Sequence, residues 1–187
     1  MATIIDVAVL VGSLRRESLN RRMAFALKKF SPEGLELNVI EIRDLPLYDQ
    51  DDDASPPERS VTFKQTIRDC DAALFITPEY NRSIPGVLKN AIDIASRPYG
   101  DSAWERKPAG VVSVSPGAIG GFGANHHLRQ CLVFLNMPVL AQPEAYIGNA
   151  GDLFDEHGGI SKPDTEKLLR TFMESFLQWI QAVRNVG

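Results

Sequence analysis

Apolar positions along the chain follow two alternating rhythms. Ile4 to Val11, "IIDVAVLV", is a continuous β-branched run, the pattern of a strand buried on both faces, as in a parallel sheet. From Leu19 to Phe30 the period changes, and Leu19, Met23, Ala26, Leu27 and Phe30 recur at helical spacing. Ser31-Pro32-Glu33-Gly34 stops that helix, and Leu35 to Ile42, "LELNVIEI", alternates like a strand nearer a sheet edge. The rhythm then repeats. Arg59 to Cys70 predicts a helix, Asp71 to Thr77 a third buried strand, Ile84 to Ser96 a helix and Ala109 to Ser115 a fourth strand. Asn125 to Leu135 predicts another helix, Met137 to Leu140 the start of a fifth strand, and Thr165 to Val183 a closing amphipathic helix.

Strands alternating with helices form a parallel sheet, because each crossover must cover a sheet face and is right-handed. Five strands with this rhythm predict an α/β three-layer sandwich with the flavodoxin-like order 2-1-3-4-5. Ligands of such sheets sit beyond the carboxyl ends of the strands, where strands 1 and 3 part company. The loops after strands 1, 3 and 4 should therefore converge on one site.

Length and charge narrow the classes. The 187 residues suit one domain spanning 1–187, with a substantial core. A net charge of -4 argues against nucleic acid and anionic membranes as partners. No apolar run reaches the roughly 18 residues of a membrane span, and the N-terminus lacks a basic segment followed by a long apolar one. The expectation is a cytoplasmic protein without membrane insertion. Cys70 and Cys131 lie in apolar periodic segments and read as buried reduced thiols. No cysteine–histidine cluster has zinc spacing, so no metal is expected. His126, His127 and His157 read as surface or interface residues.

Three loops carry the candidate chemistry. "GSLRRESLN", residues 12–20, lies between the first strand and its helix. Helix-start N–H groups lack intrahelical partners and carry positive potential, which suits a phosphate. Ser13, Ser18 and Asn20 add neutral donors and Arg15 a charged fork. The alternative is that Ser18 only caps the helix while the arginines are solvated. Neither G-x-x-x-x-G-K-[ST] nor G-x-G-x-x-G is present here, so a triphosphate or dinucleotide loop is not indicated.

"TPEYNRSIPGVLKNAID" follows strand 3. Pro78 and Pro85 stiffen it, which would present Glu79, Tyr80 and Asn81 to a planar heterocycle. Asn81 and Ser83 could instead cap the next helix. "SVSPGAIGGFGAN" follows strand 4, and Gly117, Gly120, Gly121 and Gly123 would let backbone approach a ligand closely. Monophosphate, planar ring and developing negative charge together describe flavin mononucleotide.

At these residues the chain resembles the NADPH-dependent FMN reductase family, particularly its soluble bacterial quinone and chromate reductase branch. The resemblance runs from strand 1 to at least Ile147. "GSLRRESLN" is similar to the family's phosphate loop, "PEYNRSIPGVLKNAID" to its flavin-ring loop, and "SPGAIGG" and "HLRQCLVFLN" agree in position and character. The resemblance implies that Ser13, Arg15, Ser18, Leu19 and Asn20 hold the FMN phosphate and ribityl chain. It implies that Pro78, Glu79, Tyr80 and Asn81 line the isoalloxazine, with Ser115 and Gly117 near its pyrimidine side. It further implies that NADPH or NADH gives two electrons to FMN, which passes them to a quinone-like small-molecule acceptor. Chromate, azo dyes and nitroaromatics are further acceptors of that kind. Nucleotide and acceptor would use one flavin face in turn, giving ping-pong kinetics. The flavin would carry the chemistry, so no side chain is expected to be catalytic.

A flavodoxin-type electron carrier, binding FMN without oxidising NAD(P)H, is the alternative. The chain also suggests a homodimer, with a tetramer possible. His127, Leu128, Arg129, Leu132 and Phe134 lie on a helix suited to a two-fold interface, unless that helix only packs on the sheet. The acidic, proline-bearing stretch 43–58, "RDLPLYDQDDDASPPE", is a candidate roof over a neighbouring subunit's flavin.

Overall fold

The computed structural model describes residues 4–185. β-Branched and small residues build five parallel strands: β1 (Ile5–Val11), β2 (Leu35–Ile40), β3 (Ala72–Thr77), β4 (Ala109–Val114) and β5 (Ala145–Ile147). They lie side by side in the order β2-β1-β3-β4-β5, as the α/β rhythm predicts. Between and after them run α1 (Leu19–Lys29), α2 (Glu58–Asp69), α3 (Gly86–Ser96), α4 (Phe122–Phe134) and α5 (Pro163–Asn185).

Strand parity divides the core into two layers. Val7, Val9 and Val11 of β1, Leu74 and Ile76 of β3, and Val112 and Val114 of β4 face α1 and α5. The intervening Ala8, Leu10, Ala73, Phe75 and Val111 face α2, α3 and α4. Right-handed crossovers explain this division. The step from β1 to β2 runs outward one way, so its helix falls on one face. The remaining steps run the other way and put their helices on the opposite face.

Each face is closely fitted. On one, Trp104 is fully buried against Phe75, and its indole N–H donates to the Ile92 carbonyl at 2.9 Å. On the other, a Cβ at Gly110 would sit 3.2 Å from Leu74, Phe172 and Phe176. The missing side chain of Gly110 is what lets α5 lie directly on β4.

Two expectations need correction. Met137 to Leu140 does not begin a strand. The only ladder contact there is a single bridge of Val139 to Ala109, and the chain turns at Gln142–Pro143 before β5 forms at Ala145. Proline at 138 and 143 removes the N–H donors a continuous strand would need. Cys131 is only partly buried, whereas Cys70 is buried; both are free thiols.

The stretch 43–58 is fastened to its own chain. The Asn90 side chain of α3 donates to the Pro46 carbonyl at 2.8 Å and accepts from the Tyr48 N–H at 2.9 Å. Between this stretch, α2 and the loop after α3 lies a cavity of about 310 Å³, which takes no residue from the loops after β1, β3 or β4.

Candidate functional site

β1 and β3 are neighbours in the sheet, yet the chain leaves them toward helices on opposite faces. A gap therefore opens beyond their carboxyl ends. Backbone pairing continues past the strands, with the Gly12 N–H donating to the Ile76 carbonyl at 2.8 Å. A Cβ at Gly12 would lie 3.1 Å from Leu88 and 3.3 Å from Pro78, so glycine there lets the first loop approach the third. The result is a cleft of about 180 Å³, walled by Ser13, Arg15, Ser18, Leu19 and Asn20 from one loop, Pro78, Glu79 and Tyr80 from the next, and Val114, Ser115 and Pro116 from the third. The larger cavity beside α2 borders the start of that helix at Pro57 but takes no residue from the three loops beyond β1, β3 and β4.

The first wall is built by a helix cap. Ser18, extended in its backbone, accepts from the Arg21 N–H at 3.1 Å through its hydroxyl oxygen. The Leu19 and Asn20 N–H groups keep no acceptor among the described residues. Ser18 thus caps the helix and also borders the cleft. Ser13 and Ser18 are buried, while Arg15 is exposed with no hydrogen bond or ion pair among the described residues. Asn20, 4% exposed, donates to the Val114 carbonyl at 3.4 Å, and its side-chain oxygen is buried without a partner. An orphaned buried acceptor costs about 1–3 kcal/mol unless something donates to it. Free N–H groups, hydroxyls, a guanidinium and this acceptor form a donor and acceptor set that fits the phosphate and polyol of FMN.

The second wall is a hairpin that the sequence did not announce. Tyr80 and Ser83 exchange both backbone hydrogen bonds at 3.0 Å across Asn81 (φ 52°) and Arg82 (φ 65°), the geometry of a type I′ turn. Asn adopts the left-handed region more readily than Arg, so the surroundings help to hold Arg82 there. Two ties do so. The Glu79 carboxylate accepts from the Ala124 N–H at 3.0 Å, and Ser83 Oγ lies 2.6 Å from His127 Nδ1. Ser83 is therefore committed to α4 and makes no cap for α3, which begins after Pro85 without a side-chain cap. Asn81 sits at the turn tip and does not line the cleft. Tyr80 is half exposed beside it.

The third wall explains the glycines after β4. A Cβ at Gly120 would meet the Tyr146 backbone at 2.7 Å, and one at Gly148 would meet the Ala118 carbonyl oxygen at 2.4 Å. Close approach to the end of β5, rather than to a ligand, requires both. Gly117 stands outside the cleft lining. Its N–H donates to Ser115 Oγ at 3.1 Å, while the Ala118 and Ile119 N–H groups have no acceptor among the described residues. α4 begins at Phe122, three residues before the predicted start, because Gly121 turns left-handed and Glu79 caps the helix from another loop. Beyond it, His126 Nε2 lies 3.0 Å from the Tyr146 hydroxyl. Burial, with Glu144 beside it, pushes Tyr146 up to about 12.

Sequence reasoning missed Val114 and Pro116 as cleft walls, although both adjoin Ser115 at the end of β4. It also missed the capping role of Glu79, for which a carboxylate 45 residues from its N–H partner leaves no local signal.

Comparison with known proteins agrees with this geometry. The family model for NADPH-dependent FMN reductase matches residues 5–152. A quinone reductase of Pseudomonas putida is 56% identical over all 187 residues, covering the whole of both chains. A 2-hydroxy-1,4-benzoquinone reductase of a Burkholderia species is 46% identical over 177 residues, covering 95% of this chain and 97% of its own. Among solved structures, the flavoenzyme NAD(P)H:(acceptor) oxidoreductase FerB of Paracoccus denitrificans superposes with a TM-score of 0.91 at 42% identity, covering 96% of this chain and 98% of that one. From its sheet order, its three-loop cleft and this match, the chain belongs to the NADPH-dependent FMN reductase family.

Proposed function

We propose that the chain is an FMN-dependent oxidoreductase that carries two electrons from NAD(P)H to quinones and similar small acceptors, with residues 1–187 serving as one FMN-binding domain. The observation that carries this reading is the cleft itself, where unpartnered donors and the orphaned Asn20 oxygen meet beyond β1 and β3. FMN, bound there, supplies the hydride chemistry. Ser13, Arg15 and Ser18 hold its phosphate with the free N–H groups at the start of α1. Leu19 and Asn20 border the ribityl chain. Pro78, Glu79 and Tyr80 flank the ring, and Asn81 serves by setting the turn that places Tyr80. Ser115 and the loop through Gly117 offer N–H groups to the ring's polar edge.

A flavodoxin-type carrier is not favoured, since full-length relatives are named as reductases. The deciding experiment is anaerobic titration of the purified yellow protein with NADPH and NADH, then steady-state oxidation with a benzoquinone. Bleaching by either nucleotide and parallel initial-rate lines support the reading. A protein that binds FMN yet is not reduced by either nucleotide refutes it.

The reading includes a cytoplasmic setting; among the described residues no helix is long and apolar enough to cross a membrane. The reading extends to a homodimer, with a tetramer as the larger form. α4 turns Leu128 and Leu132 inward and leaves Phe122, Val133 and Phe134 exposed, with Arg129 as its single Lys, Arg, Asp or Glu side chain. An outer face with exposed apolar residues beside His126, His127 and Gln130, and almost without charge, suits a self-complementary interface. A light-scattering mass near 20.7 kDa for the FMN-loaded protein at micromolar concentration rejects that assembly.

A further inference from the structure

A second cleft, of about 240 Å³, adjoins the first across the loop after β1 and shares Ser13 and Arg15 with it. Its walls are the carboxyl ends of β1 and β2, the loop through Arg16, Arg21 of α1, and Glu41 to Arg43. Four arginines, Arg15, Arg16, Arg21 and Arg43, line it together with a single carboxylate, that of Glu41. In a chain of net charge -4 this is a concentrated positive site, and little of it is neutralised internally. Arg15 and Arg16 make no ion pair among the described residues. Arg21 reaches Glu41 only at 3.5 Å. Arg43 donates to the Leu14 carbonyl at 2.5 Å, which fixes its guanidinium at the rim of the same loop. Glu41 is itself held, accepting from the Ile42 and Arg43 N–H groups at 3.2 and 3.0 Å through one oxygen, while the other faces Arg21.

Guanidinium forks match a dianionic phosphate. Ser13 and Arg15 border both clefts, so an anion held in the second lies directly beside the FMN site, where the phosphate of a nucleotide donor comes within reach. We propose that the second cleft binds the adenosine 2′-phosphate of NADPH and so sets donor preference. This rests on the NAD(P)H oxidoreductase reading above. NADH, which lacks that phosphate, leaves the guanidiniums in water, where they are well solvated. Glu41 then acts against NADPH, since the incoming phosphate must compete with it for Arg21.

Two substitutions move the site in opposite directions. Arg21→Gln removes a charge from the cleft. Glu41→Gln removes the competing carboxylate yet keeps an oxygen for the Ile42 and Arg43 N–H groups. Neither residue lines the FMN cleft. Binding of adenosine 2′,5′-bisphosphate and of 5′-AMP to the FMN-loaded protein is measured by calorimetry, together with kcat/KM for both nucleotides and bound FMN content. The wild-type protein is expected to bind the bisphosphate at least about tenfold tighter than 5′-AMP, and to prefer NADPH. Arg21→Gln should lower that discrimination and the NADPH:NADH ratio of kcat/KM by about tenfold, and Glu41→Gln should raise both by a few-fold. Equal binding of the two adenosine phosphates, or a ratio unmoved by Glu41→Gln, overturns the assignment. Loss of FMN in step with Arg21→Gln also overturns it, since the arginines would then serve the flavin phosphate. If neither nucleotide reduces the FMN-loaded wild type, the oxidoreductase reading fails instead, and discrimination between the adenosine phosphates still decides the cleft.

Discussion

The Glu79 carboxylate accepts a hydrogen bond from the Ala124 N–H at 3.0 Å. This bond joins the loop after β3 to the first turn of α4, so one side chain ties together two of the three cleft walls. Glu79 is 15% exposed and also meets Arg82 at 3.5 Å. Replacing a helix-capping side chain by alanine costs about 0.5–2 kcal/mol. Glu79→Ala should lower stability by about that amount in urea titration and loosen FMN, while Glu79→Gln, which keeps an acceptor oxygen, should recover most of the stability. Equal loss in both variants would show that the charge, rather than the cap, matters at this position.

Arg15→Ala should weaken FMN binding by one to two decades, roughly, since a charge-assisted bond to phosphate contributes about 1.5–3 kcal/mol. Fluorescence titration of the apoprotein reads this directly. Because Arg15 is exposed, the wild-type affinity should fall with added salt and the variant's should fall less. An affinity unchanged at moderate salt removes Arg15 from the phosphate site.

Gly148→Ala tests how β5 supports the third wall. The new Cβ would fall 2.4 Å from the Ala118 carbonyl oxygen, and backbone on both sides leaves no flexible side chain to yield. The loop from Pro116 to Gly121 must shift. FMN affinity should drop at least about tenfold, while the denaturation midpoint moves by the modest amount expected of a local rearrangement. A variant with ordinary flavin affinity would separate this loop from the site.

Burial pushes both thiols up, with Lys107 acting against it at Cys70 and Lys89 at Cys131. The thiolate is the reactive form, so raising the thiol's value leaves less of it at neutral pH. Labelling of the native protein by a disulfide reagent should be slow at pH 7 and should still be accelerating above about pH 8.5, the value of an ordinary free thiol. Cys131, partly exposed, should react before Cys70. Mass spectrometry of labelled peptides checks the order.

The sequence by itself determined the architecture and the neighbourhood of the site. β-Branched runs such as Ile4–Val11 and the helical spacing of Leu19, Met23, Leu27 and Phe30 report local backbone conformation, and alternating units admit few topologies. The strand order 2-1-3-4-5 followed, and with it the meeting of the loops carrying Ser13, Ser18, Asn20, Pro78, Glu79, Tyr80 and Ser115. Tertiary structure decided what depends on partners far away in the chain. Glu79 starts α4 early, Ser83 holds to His127 instead of capping α3, and Arg82 is kept in a left-handed turn. Gly120 and Gly148 answer to the backbone they approach, Gly110 to two phenylalanines of α5. Arg43, which follows β2, joins Arg16 and Arg21 in one cleft only because β2 lies beside β1. Periodicity records which face of its own element a residue occupies; it carries no record of the hydrogen-bond partner or the neighbouring backbone that folding brings to that face.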